Sequence, residues 1–116
     1  MIILICGAEG SGKTSLAKPF ADLLGAVYVN KDTYPRNELK GYIDGITSTG
    51  KNVVVDKRCR TNAAVDYIDP DFVVWMDTIE EKIERPAKVN YHVSQWFHDT
   101  DAQLLQVIKK FTERNK

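Results

Sequence analysis

The sequence predicts an α/β fold, a parallel β-sheet with helices packed on both faces, and three observations carry that expectation. Apolar stretches along the chain alternate between short runs of strand length and longer segments of helical period. The first run, Ile2 to Cys6, is apolar at every position, as in a central parallel strand covered on both sides. A glycine-rich turn follows it directly and leads into a helical pattern.

The chain's 116 residues, 43% hydrophobic and 28% charged, suffice for one core, so a single domain over residues 1–116 is expected. Basic and acidic residues number 16 each. That balance leaves no basic excess of the kind that grips a nucleic-acid backbone without sequence preference, so nucleic acid is not the expected partner. Cys6 and Cys59 have neither metal-ligand spacing nor the density of a disulfide scaffold, and they fit a reducing, cytoplasmic setting. Met1 to Cys6 lacks a basic leader and is too short for a signal peptide or a membrane span.

After the first strand, a helix is expected from Lys13, with Leu16, Ala17, Phe20, Ala21, Leu23 and Leu24 at helical spacing and Gly25 placed to end it. Pro19 lies inside that pattern and predicts a kink. Ala26 to Val29 reads as the second strand, and Pro35 as the first turn of a helix whose apolar face is Leu39, Tyr42, Ile43 and Ile46. Asn52 to Val55 reads as the third strand, closed by Asp56, and Ala63 to Ile68 as a short helix broken by Asp69-Pro70. Phe72 to Met76 is the fourth strand. Thr78 to Arg85 reads as a brief helix stopped by Pro86, and Val89 to Val93 as the fifth strand. Thr100 and Gln103 resemble a capping box for a last helix, whose inner face is Leu104, Leu105, Val107, Ile108 and Phe111.

Gly7-Ala8-Glu9-Gly10-Ser11-Gly12-Lys13-Thr14 fits the pattern glycine, four residues, glycine, lysine, then serine or threonine, set between a strand and a helix. A phosphate chain needs several backbone N–H groups aimed inward at once. Glycines at 7, 10 and 12 suit such a loop because side chains there would crowd the anion or forbid the turn. The helix start adds its partial positive charge. In this reading the whole loop binds ATP. Lys13 reaches the β- and γ-phosphates, Thr14 ligates Mg2+, and Ser15 contacts the α-phosphate side. Asp56, at the end of the third strand, is the expected second holder of the metal. Asp77 closes the fourth strand and needs no role beyond that of a carboxylate starting the helix expected from Thr78.

Asp32 follows the second strand, on the rim beyond the carboxyl ends of the strands where open α/β sheets bind ligands. There it is the candidate base for an acceptor hydroxyl. Arg36, Lys57, Arg58 and Arg60 lie in loops opening on the same rim, which suits an anionic acceptor. Arg58 and Arg60 also offer charge for the transition state. Trp75, Trp96, His92 and His98 carry no assigned role.

With these residues in hand, the chain resembles the small P-loop kinases, and more narrowly the adenylylsulfate-kinase-like proteins of tailed phages. The resemblance rests on Gly7 to Thr14, Tyr28-Val29-Asn30-Lys31-Asp32, the run Thr49 to Asp56, and Pro86 to Val93. It implies a P-loop NTPase fold, three layers αβα, with five parallel strands in the order 2-3-1-4-5. Two departures stand out. Where the family has Asp-Gly-Asp, this chain has Asn30-Lys31-Asp32, with one carboxylate of the two. The lid usual before the fifth strand is absent, since only Arg85 to Lys88 separates the flanking elements. Lid chemistry would then fall to Arg58, to Arg60, or to a partner chain in a homo-oligomer.

The expected function is transfer of the γ-phosphate of ATP to a hydroxyl of a small anionic acceptor, adenylylsulfate being the family's example. The alternatives are a nucleoside, nucleotide or polynucleotide 5′-hydroxyl kinase, and a nucleotide-binding module with little catalysis.

Overall fold

The computed structural model of the chain describes residues 1–8, 10–30, 38–79, 84–95 and 99–114. Its elements run β1 (Ile2–Gly7), α1 (Lys13–Leu24), β2 (Val27–Asn30), α2 (Leu39–Thr47), β3 (Val53–Asp56), α3 (Asn62–Ile68), β4 (Phe72–Met76), β5 (Tyr91–Val93) and α4 (Thr100–Arg114). The strands form one sheet in the order β2-β3-β1-β4-β5. Every described pairing is parallel.

Strand side chains alternate between faces, and the core divides accordingly. Ile2, Leu4, Cys6, Val29, Val53, Val55, Val73 and Trp75 point to one side, where Leu39 and Ile43 of α2 and Val65 and Ile68 of α3 cover them. Ile3, Ile5, Val54, Phe72, Val74 and Met76 point to the other, against Leu16, Ala17, Phe20 and Ala21 of α1 and Leu104 and Ile108 of α4. A strand clothed on both faces has no polar position to spare, which is why β1, β3 and β4 are buried throughout. Phe72 and Phe111 meet edge to face, their ring centroids 5.1 Å apart, and this tightens the α4 side.

Helix α1 runs unbroken from Lys13 to Leu24 with Pro19 inside it, on the solvent side. It ends on Gly25 at φ 70°, a left-handed residue. The Ala26 N–H donates to Ala21 O at 2.9 Å, closing the last turn.

Three details depart from the sequence reading. Thr78, Ile79, Glu84 and Arg85 are not helical, and residues 80–83 of that segment lie outside the described residues. Thr100 does not cap α4. It is the first helical residue and is buried, while the Gln103 side chain donates to Asp99 Oδ2 at 3.0 Å. The pairing falls one residue earlier because Thr100 faces the core. The fifth strand is shorter than expected, with Val89 packing on the core ahead of it rather than within it. The expected helix start at Pro35, together with Trp96 and His98, lies outside the described residues.

Candidate functional site

The parallel order brings the carboxyl ends of β1 and β3 side by side, with Ile5 in register with Asp56. Period two then decides where Asp56 points. It lies two residues after Val54, which packs on the α1 side, so its carboxylate faces the start of α1. There the Thr14 hydroxyl donates to Asp56 Oδ2 at 2.7 Å. These two residues, 42 apart in sequence, are brought together by the sheet order alone.

The loop between β1 and α1 is shaped by its glycines. Gly7, Gly10 and Gly12 all have positive φ, at 152°, 81° and 96°. At Gly7 a close approach of strands adds a reason of its own: a Cβ there would lie 2.5 Å from the Met76 carbonyl oxygen and 2.8 Å from its Cβ. The first glycine of the motif therefore also lets β4 close against β1, a contact the sequence reading did not include. Ser11 N–H donates to Ala8 O at 3.1 Å, and the Thr78 hydroxyl, just past β4, donates to Ser11 O at 2.7 Å. The Lys13 ammonium bonds Ala8 O at 2.7 Å and so lies across the loop. Ser11 Oγ is buried and has no partner among the described residues. An unpartnered buried hydroxyl in a glycine-rich turn that opens a helix fits a loop able to receive anionic oxygens. The Thr14 and Asp56 oxygens are the hard donors Mg2+ prefers, so the residues present fit both groups.

A polar chain that the sequence reading missed runs into the same carboxylate. Tyr28 OH donates to Asp56 Oδ2 at 2.8 Å, and Asn30 Nδ2 donates to Tyr28 Oη at 3.2 Å. Asn30 stands in register with Asp56 and Tyr28 with Val54, so all three polar groups share the α1 face. Lys18 Nζ lies 5.8 Å from the centroid of the Tyr28 ring. Partial burial pushes the Tyr28 phenol above its ordinary pKa, so it is a donor at neutral pH. The period-two pattern of β2 was the available signal, since it places Tyr28 and Asn30 on one side of the strand.

Of the four expected rim cations, Lys57, Arg58 and Arg60 lie among the described residues. Lys57 is half-buried, with its ammonium 5.8 Å from the centroid of the Tyr67 ring on α3. Arg58 is half-buried and Arg60 exposed, in the loop between β3 and α3. The Arg60 carbonyl accepts from Glu84 N–H at 3.0 Å. Asn62, at the start of α3, holds the same segment. Its Oδ1 accepts from Ala87 N–H at 2.7 Å, and its Nδ2 donates to Arg85 O at 3.3 Å and to the Glu84 carboxylate. The short connection into β5 is thereby fastened beside Arg60 without a helix among its described residues. Asp77 accepts from His92 Nε2 at 3.0 Å, outside the loop between β1 and α1. Glu9, Asp32 and Arg36 lie outside the described residues. Ser15 is exposed on the first turn of α1.

Both cysteines are buried and free. Burial pushes the Cys6 thiol up to about 12 and the Cys59 thiol up to about 11. Among the described residues no group of three metal-binding side chains gathers. No described helix is long and apolar enough to cross a membrane.

Comparison with known proteins places this geometry. The sequence model of the family described as RNA helicase matches residues 3–95 of the chain. A search of curated proteins returns no match. Among solved structures, a sugar kinase from Janibacter superposes with a TM-score of 0.69 at 14% identity, covering 93% of this chain and 94% of its own. A gluconokinase from Sinorhizobium meliloti gives 0.65 at 16% identity, with 97% and 93% covered. An APS kinase from Mycobacterium tuberculosis gives 0.63 at 14% identity, with 93% and 96% covered. At these identities the likeness establishes the fold alone, a five-stranded parallel sheet between helical layers that this chain shares with these kinases.

Proposed function

The chain belongs to the family described as RNA helicase, and within that family we propose that it is a single-domain, ATP-dependent phosphotransferase acting on a hydroxyl of a small anionic acceptor, adenylylsulfate being one example. The observation that carries the reading is the union of two features. A phosphate loop spanned by the Lys13 ammonium stands beside a hydroxyl–carboxylate pair, Thr14 and Asp56, at 2.7 Å. Thr14 and Asp56 would hold Mg2+, which when bound neutralises charge on the phosphate oxygens.

The chain's own residues do the remaining work. The amides of the loop and the start of α1 orient the phosphates, and Ser11 Oγ supplies a further donor. Lys13 exchanges the Ala8 carbonyl for phosphate oxygens, a stronger, charge-assisted pairing. Asp32 accepts the proton of the acceptor hydroxyl, and Arg36 and Lys57 bind the acceptor's anionic group. Arg58 and Arg60 balance the charge that develops on the transferred group. Catalysis of this type is mostly positioning and electrostatics, so it requires no covalent intermediate on the protein.

A second reading, an ATPase stimulated by nucleic acid, is favoured by the printed family description and disfavoured by the equal numbers of basic and acidic residues. One experiment separates them: ADP release with Mg2+ and ATP against adenylylsulfate, gluconate, nucleoside monophosphates, 5′-hydroxyl oligonucleotides and single-stranded RNA, with Lys13→Ala as control. Release that depends on one small acceptor and vanishes in Lys13→Ala supports the phosphotransferase. RNA-stimulated release without phosphorylated product would favour the second reading. ATP binding with no release under any condition would mark a nucleotide-binding module and sink both.

A further inference from the structure

From the polar chain Asn30, Tyr28, Asp56 and Thr14 we infer that Tyr28 is the positioning residue of the metal-holding carboxylate, setting how strongly magnesium tightens ATP binding. The inference rests on the assignment of Thr14 and Asp56 to magnesium and names a residue that this assignment leaves out.

The argument begins with the carboxylate itself. Asp56 is only 6% exposed, so water contributes little to fixing it, and its orientation depends on protein donors. Among the described residues both side chains that donate to it do so on one oxygen, Oδ2, at 2.7 Å from Thr14 and 2.8 Å from Tyr28. Oδ1 has no protein donor among the described residues and is the oxygen left for a cation. The two donors are not equivalent. Thr14 sits on the exposed first turn of α1 and has a task of its own at the metal. Tyr28 lies on β2 and belongs neither to the loop nor to the start of α1. Its hydroxyl approaches Oδ2 from the sheet, while that of Thr14 approaches from the helix.

Tyr28 is itself held from two sides. Asn30 donates to its hydroxyl at 3.2 Å, and the Lys18 ammonium stands 5.8 Å from its ring centroid. Lys18 projects from α1, the helix that also carries Lys13 and Thr14. The ring is thus fixed between strand and helix, and its hydroxyl keeps one rotamer of Asp56 in place. Groups that hydrogen-bond a metal ligand without touching the metal commonly change metal affinity by about 10- to 100-fold when removed, because the ligand must then be ordered at the moment of binding.

Calorimetric binding of ATP to the full chain, with Mg2+ and with EDTA in its place, tests this without relying on turnover. The readout is the ratio of the two affinities. Tyr28→Phe keeps the ring and its packing and deletes only the donor. The expected result is a magnesium enhancement about 10-fold smaller than wild type, with ATP affinity in EDTA within about twofold, since the phosphate loop is untouched. An unchanged or larger enhancement in Tyr28→Phe would overturn the inference. A loss of affinity in EDTA of the same size would also overturn it, because that would mark Tyr28 as part of the general fold.

Should Tyr28→Phe fail to fold, Asn30→Ala removes the support of the same hydroxyl. A smaller loss of enhancement in the same direction is then expected, and none would overturn the inference. The underlying reading fails separately: wild-type protein whose ATP affinity ignores magnesium, or whose enhancement survives in Asp56→Asn, would remove the metal assignment and Tyr28's role with it.

Discussion

Replacing Gly7 by alanine would set a methyl carbon 2.5 Å from the Met76 carbonyl oxygen and 2.8 Å from the Met76 Cβ. Both atoms belong to β4, which is hydrogen-bonded in register with Gly7 and buried on both faces, so neither can swing aside as the tip of a flexible side chain could. The sheet must open locally, an overpacking cost of about 1–3 kcal/mol. A φ of 152° adds about 1–3 kcal/mol for a residue with a Cβ. Together the two give roughly 4 kcal/mol, a large fraction of the approximately 6–17 kcal/mol that a chain of this length commands.

Gly25→Ala is the matched control. Its φ is 70° and a Cβ there meets nothing within 4 Å, so only the left-handed backbone penalty of about 1–2 kcal/mol applies. Urea unfolding followed by circular dichroism measures both variants. A Gly7→Ala loss no larger than that of Gly25→Ala would refute the claim that the first glycine of the loop serves contact between β1 and β4.

Other consequences can be measured on the same protein. Asn62→Ala removes the side chain that ties the start of α3 to Glu84, Arg85 and Ala87; a loss of about 1–2 kcal/mol is expected in urea unfolding, with faster proteolysis between Glu84 and Ala87, and equal cleavage rates would contradict the fastening role. Burial pushes the Cys6 thiol up to about 12 and the Cys59 thiol up to about 11, from an ordinary thiol's 9.0. The folded state holds these protons longer than the unfolded chain, so their contribution is complete below pH 9.0 and declines as pH rises toward about 11 and then about 12. The double variant Cys6→Ala, Cys59→Ala is therefore expected to lose less stability than wild type on going from pH 8.5 to about 10.5, and identical slopes would refute it. Below pH 9.0 both thiols stay protonated and buried, so a thiol reagent is expected to modify wild-type protein at the rate of unfolding, and fast labelling of the native state would contradict the burial.

Much of the fold was legible because the strongest signals were those of full burial. Ile2 to Cys6 and Phe72 to Met76 are apolar at every position, and a strand in the middle of a parallel sheet leaves little else for such a run to be. Boundaries were less legible. Nothing local distinguishes Thr100 as an N-cap from Thr100 as a buried first residue of α4; the packing of α4 on α1 decided it. Thr78-Ile79 and Glu84-Arg85 carry helix-compatible residues, yet Thr78 is drawn into a bond with Ser11 and Glu84 into contacts with Arg60 and Asn62. Long-range partners outcompeted a weak local preference there.

The candidate site divides in the same way. Lys13 and Thr14 are singled out by spacing, and the structure sets them at the start of α1 beside the glycine-rich loop. Asp56 is recognisable only through the expected order of strands, and the order β2-β3-β1-β4-β5 does bring it to Thr14. Tyr28 was legible only in part, since the alternation of β2 sets it on one side with Asn30 without saying what that side meets. Its meaning depends on the register that pairs Asn30 with Asp56, and register is a property of the assembled sheet.

The most direct test of the proposed activity follows the phosphorus itself. Phosphorus NMR of wild-type protein with Mg2+, ATP and the acceptor that best promotes ADP release should show the γ-phosphate signal replaced by one new phosphoester signal, in step with ADP. Appearance of inorganic phosphate in its place, with the acceptor unchanged, would contradict transfer and leave this phosphate loop a site of hydrolysis.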